Sequence, residues 1–145
     1  MQVRNSQFEK SLLNKIARVA NKLEQEVETE LKVSFALTFS QFKVLEALSR
    51  LGEMSQRELA SALDVTPAVV TRQAEVLSGR GLLVQRPNPL SKRENLLALT
   101  IKGDQAARDA AKAALQKQQA VLEDLTLQDE TALGRTLEVI IKSFK

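Results

Sequence analysis

The chain has 145 residues, 43% of them hydrophobic and 27% charged, with a formal net charge of +3; this is enough apolar content to bury one globular core and too much for disorder. It holds no His and no Cys, which removes an imidazole base, a thiol nucleophile, disulfides, thiol redox sensing and an ordinary zinc site. No enzymatic activity, metal or other cofactor is therefore expected, and without an apolar leader or a run of about eighteen apolar residues the expected location is cytoplasmic, with no membrane contact.

The remaining carboxylates sit at helical spacing among Lys and Arg, as in Glu24, Glu26, Glu28 and Glu30, the pattern of a solvated helix face rather than a catalytic pair. Phe8, Leu12, Ile16, Ala20, Leu23, Val27 and Leu31 recur every three or four residues without Pro or Gly, which predicts one amphipathic helix over 7–34. At about 1.5 Å per residue, Gln7 to Leu31 spans about 38 Å, more than a compact monomer of this size easily covers, so this helix requires a partner. Thr38 and Gln41 form a capping box for a helix carrying Phe42, Leu45 and Leu48, closed by Gly52. Phe35, Phe39 and Phe42 cluster between these two helices; core packing explains them without a ligand, and a pocket there stays open as the alternative.

Ser55 and Glu58 form a second capping box, and Leu59, Ala60 and Leu63 give the short helix that follows one apolar face. Asp64 and Val65 make a turn. The next helix opens at Thr66, whose hydroxyl is placed to cap it, with Pro67 at the first helical position, where a missing N–H costs nothing; Gly79 and Gly81 end it. At about 100° per residue, Val70, Ala74 and Leu77 face inward and Ala68, Arg72 and Glu75 outward, with Thr71 at the flank. The small, polar outward face suits a helix whose first turns enter a major groove about 12 Å wide, and Arg72 is its one long donor.

Leu82 to Arg86 and Asn95 to Thr100 are β-prone and flank a segment rich in Pro, Asn and Ser, which predicts a hairpin with a long tip. Between Arg80 and Arg93 stand four cations, Arg80, Arg86, Lys92 and Arg93, and no acid. Phosphate is the natural partner of such a local field. Thr100 opens a helix running to about Leu125, with Ala107, Ala111, Ala114, Val121, Leu122 and Leu125 along one stripe, and Thr126 caps a last helix. The first helix, with Phe8, Leu12 and Ile16, and these last two helices, the second of them with Leu133, Leu137, Ile140, Ile141 and Phe144, present three apolar stripes whose economical burial is against a second copy. They predict an isologous homodimer, and hence a pseudo-palindromic DNA site with half-sites about one turn apart.

In order and spacing, Thr66-Pro67, Val70-Thr71-Arg72, Arg80-Gly81-Leu82-Leu83, the string Asn88-Pro89-Leu90-Ser91-Lys92-Arg93 and Leu99-Thr100, with Leu37-Thr38 and Gln41 upstream, resemble the MarR family of bacterial winged-helix transcription regulators. The family's wing usually carries Asp-x-Arg; Ser91 stands at the Asp position and Arg93 is kept. The expected fold is mainly α with a small β-hairpin wing, a single domain over 1–145. It comprises a DNA-binding winged helix-turn-helix at 38–100 and dimerisation helices at 7–34 and 101–145. Thr66, Pro67, Ala68, Thr71 and Arg72 are expected at base edges of double-stranded DNA, and Ser55, Gln56, Arg57, Arg86, Lys92 and Arg93 near phosphates. The resemblance further implies a repressor, and a small-molecule effector such as an aromatic acid bound between the dimer helices and the reading unit, near Phe35 and Phe39. The alternative is a winged-helix protein-interaction module that has lost DNA binding, which the modest net charge and the outward Glu75 favour and the acid-free tip opposes.

Overall fold

The first N–H groups of a helix have no partner within it, and side chains of this sequence supply acceptors at nearly every helix start. The computed structural model describes residues 11–144. Ser11 Oγ accepts the Asn14 N–H at 3.1 Å, opening α1 (Leu12–Phe35). Thr38 and Gln41 exchange both halves of their box at 3.1 Å ahead of α2 (Phe39–Leu51). Ser55 and Glu58 do the same at 3.2 and 2.8 Å, and α3 (Gln56–Ala62) follows directly from the short strand β1 (Met54–Ser55). Thr100 Oγ1 takes the Gly103 N–H at 2.9 Å to start α5 (Ile101–Val121), and Thr126 with Asp129 boxes the start of α6 (Leu127–Ser143).

The exception is α4 (Pro67–Gly79), where the sequence reading is corrected: the Thr66 hydroxyl makes no capping bond. The Thr66 carbonyl instead accepts the Val69 and Val70 N–H groups at 3.1 and 3.3 Å. Pro67 has its φ set for a helix already, so the first turn closes without help from a side chain. Between α3 and α4 the turn is made as expected, with Asp64 left-handed at φ 53 and the Val65 N–H on the Ala60 carbonyl at 3.0 Å. α4 ends through Gly81, whose φ of 71 is comfortable only for a residue without Cβ. That twist returns the Leu82 N–H to the Leu77 carbonyl at 3.0 Å.

Two strands then form a hairpin, β2 (Leu83–Asn88) and β3 (Ser91–Leu99), and β3 lies between its two neighbours in the order β1-β3-β2. The tip is shorter than expected from sequence: the strands run to Asn88 and Ser91 with Pro89 and Leu90 between them, although Lys92, Arg93 and Glu94 have no partner in the register. β2 is an edge strand, where the N–H that Pro87 lacks is not missed, and a register shift between Pro87 and Asn88 takes up the extra residues of β3. β1, two residues paired with Leu96 and Leu97, carries no sequence signal of its own. α5 also stops at Val121, one turn before the expected Leu125.

Leu31, Val44, Leu45, Leu59, Val70, Leu77, Leu83 and Leu97 are almost fully buried, so every element from α1 to β3 except the two-residue β1 gives a side chain to one core. Gly103 brings α5 onto it: a Cβ there would overlap the Leu82 carbonyl oxygen. Thr100 adds a second stitch by donating its hydroxyl proton to the Gly81 carbonyl at 2.7 Å. α6 is different in kind, since none of its residues is buried.

Candidate nucleic-acid interface

Burying Val70, Ala74 and Leu77 fixes the roll of α4. Its opposite face then turns Thr66, Pro67, Ala68, Arg72 and Glu75 to solvent. Thr71 is half-buried at the flank, and its hydroxyl proton is shared between Gln56 Oε1 at 2.8 Å and the Pro67 carbonyl at 3.0 Å. Thr71 and Gln56 thereby lock the start of α3 against the first turn of α4. Among the described residues no carboxylate lies within salt-bridge distance of Arg72; Glu75, one turn on, does not neutralise it.

Besides Gln56, which holds Thr71, three of the residues expected near phosphates have other partners. Ser55 is buried, 3% exposed, with its hydroxyl and N–H both spent in the cap of α3, so its side chain is not at the surface. Arg57 lies 3.5 Å from the Glu94 carboxylate. Arg86, opposite Leu96 on β3 with Ser55 beyond, reaches across the sheet to Glu53 at 2.9 Å. Both ion pairs are largely exposed, worth at most about 1 kcal/mol, and open to exchange with a stronger anion.

Arg80 also leaves the expected field: its guanidinium donates to the Ala36 carbonyl at 2.7 Å and the Phe35 carbonyl at 3.0 Å, capping the C-terminus of α1. Sequence reasoning missed this clasp and the roles of Glu53 and Glu94. Glu94 next to Arg93 is the only sequence hint that the field is not purely positive.

Lys92 and Arg93 remain exposed, with no ion pair among the described residues. The tip carrying them is internally braced: Asn88 Oδ1 accepts the Leu90 N–H at 2.9 Å and Ser91 Oγ the Arg93 N–H at 3.3 Å. Ser91 thus accepts from the residue two ahead, a bond Asp also makes in such turns, without bringing a charge to Arg93. Gln56, Arg57, Pro67, Arg93, Glu94 and Asn95 line one polar cleft, so the first turns of α3 and α4 and the wing strand converge on one surface.

Of the expected dimerisation residues, Leu12, Ile16, Leu133, Leu137, Ile141 and Phe144 are exposed and Ile140 is half-buried; Phe8 lies outside the described residues. Between α1, α2 and α5 there is a cavity of about 310 Å³ with Phe39 and Phe42 in its wall. Phe35 is not among its lining residues; it packs against the core. Phe42, 7% exposed, serves core and cavity together. Among the described residues no helix is long and apolar enough to cross a membrane, and no group of three His, Cys, Asp or Glu is placed to hold a metal.

Helix, turn, helix and a two-stranded wing beside them, carried on long flanking helices, define a winged helix-turn-helix protein. Comparison with known proteins places that class more narrowly. The pattern described as MarR family matches residues 37–94. The uncharacterised HTH-type transcriptional regulator YwoH of Bacillus subtilis is 30% identical over 131 residues, 90% of this chain and 91% of that protein. Wild-type MarR of E. coli in its apo form is 26% identical, with a TM-score of 0.80 over 90% of this chain and 96% of its own. BpsR of Bordetella bronchiseptica, whose DNA binding is regulated by 6-hydroxynicotinic acid, is 25% identical, with a TM-score of 0.82 over 92% of this chain and 94% of its own. The chain belongs to the MarR family and is a transcriptional regulator of that family.

Proposed function

We propose that the protein is a homodimeric repressor that binds a pseudo-palindromic operator and is released by a small molecule. The observation that carries the DNA reading is the exposed face of α4, from Thr66 to Arg72, beside a braced tip whose Lys92 and Arg93 have no ion pair among the described residues. In this reading Thr66, Pro67, Ala68 and Arg72 meet base edges, Thr71 holds α4 to α3 at the groove wall, and Lys92 and Arg93 meet phosphates, with Gln56, Arg57 and Arg86 at the margin. The apolar face of α6, unburied within its own chain, together with Leu12 and Ile16 on α1, supports the dimer. The whole chain acts as one domain, with 38–100 as the reading unit.

Regulation of BpsR by 6-hydroxynicotinic acid and the cavity beside Phe39 support an effector. A gel shift with the gene's own upstream region at two salt concentrations tests the DNA reading: specific retention that weakens with salt is expected. No retention at low salt would favour a protein-interaction module, the reading supported by the Arg57–Glu94 and Arg86–Glu53 pairs that draw charge away from the wing.

A further inference from the structure

We propose that the cavity between α1, α2 and α5 takes a small organic cation with an aromatic body, and that it discriminates against aromatic acids. This rests on the effector reading above and deepens it. Phe39, Phe42 and Leu115 give the cavity apolar walls, and Ala111 and Ala114 on α5 leave the room. The charged groups in its lining are the carboxylates of Glu24 and Glu46; Gln118 is neutral, and no Lys or Arg is among the lining residues.

Two of the surrounding cations are engaged with carboxylates. Arg50 sits 3.9 Å from Glu46 on an exposed side chain, and Lys117 lies 3.3 Å from Glu26. Lys43 Nζ stands 5.3 Å from the centre of the Phe39 ring, so this junction already holds one ammonium against an aromatic face. A ligand ammonium or amidinium placed against Glu24 and Glu46 replaces a loose, solvent-exposed Arg50 contact, and the aromatic walls hold the ligand's body. An organic anion meets two like charges without a cation in the lining to offset them.

A matched pair of probes tests this on the intact protein: 1-naphthylmethylammonium and 1-naphthoate, equal in ring and opposite in charge. The chain has no Trp and no Tyr, so naphthalene emission reports binding without protein background, and calorimetry gives the affinities. The ammonium is expected to bind at least tenfold more tightly than the acid. Glu24→Gln with Glu46→Gln should weaken the ammonium at least tenfold and leave the acid unchanged or tighter, with an unaltered circular dichroism spectrum. Ala114→Phe, which fills the space, should weaken whichever probe binds. Equal or tighter binding of naphthoate, or an ammonium affinity unmoved by the double substitution, overturns the charge preference while leaving an effector cavity. Failure of both probes to bind at millimolar concentration overturns the proposal and removes the cavity from the effector reading as well.

Discussion

A guanidinium can direct its donors to backbone carbonyls, to a carboxylate or to a ligand, and the arginines around the reading unit divide among these uses. Arg80 closes the end of α1, Arg57 and Arg86 face Glu94 and Glu53, and Arg72 and Arg93 face solvent. Arg72→Ala is expected to leave fold and assembly intact, lower operator affinity about tenfold or more, and relax preference at one position per half-site, as for loss of a bidentate guanine contact worth about 1–3 kcal/mol. An unchanged ratio of operator to random-DNA affinity would show that Arg72 reads no base. Lys92→Ala and Arg93→Ala should each weaken specific and random duplexes alike, lowering the salt slope by about one unit for each phosphate no longer neutralised; a changed base preference at constant slope would contradict that role. The outward placing of Arg72 was legible from helical periodicity. The partners of Arg57, Arg80 and Arg86 were not, because they come from segments remote in sequence and meet only through strand order and the end of α1.

Helix ends were the most legible elements, since a capping box is a local bond written in four consecutive residues. Thr38 with Gln41 and Ser55 with Glu58 close as their spacing implies, whereas Thr66 fails to cap because Pro67 already fixes the first turn. The carboxyl of Glu58 is held below its ordinary 4.5, first by the Ser55 N–H and then by the Ser55 hydroxyl. Asp129 is likewise held down by the Thr126 hydroxyl and then its N–H, and Asp104 by the Ser49 hydroxyl and then Arg108. A carboxyl more acidic in the folded than the unfolded chain stabilises above its unfolded value and loses that contribution as pH falls through its folded one. Melting temperature should therefore be flat from neutrality to about pH 5 and fall below it, with a shallower fall in Glu58→Gln. A melting curve that softens between pH 6 and 8 in this His-free chain would contradict these assignments. The seat of α5 on the Leu82 carbonyl was invisible in sequence, because one Gly in a helix does not name its neighbour. Gly103→Ala should destabilise by about 1–3 kcal/mol in chemical denaturation, the usual scale for overpacking, although Ala is the better helix former in isolation.

At the scale of the molecule, the periodicity of the terminal stripes led to the expectation of a second copy, and the structure leaves α6 with no buried residue. Periodicity marks an apolar face but not what covers it, which is why the core stripe of α5, with Ala107 and Ala110 buried, and the uncovered stripe of α6 read alike. Light scattering at micromolar concentration should give the mass of two chains. Ile140→Asp with Ile141→Asp should abolish that species in favour of aggregate or unfolded chain. A well-folded wild-type monomer would sink both the dimer and the operator symmetry inferred from it.

In the proposed dimer, the uncovered α6 would also tie the lifetime of the protein to its abundance. When a fold is completed by its own second copy, mass action enters its stability, and each tenfold rise in chain concentration adds about 1.4 kcal/mol per mole of dimer. On that proposal, scarce chains would spend more time with Leu133, Leu137 and Ile141, exposed in the single chain, presented to proteases and chaperones, while abundant ones would protect each other. Dilution should lower the melting temperature, and in a cell the half-life should lengthen as expression increases.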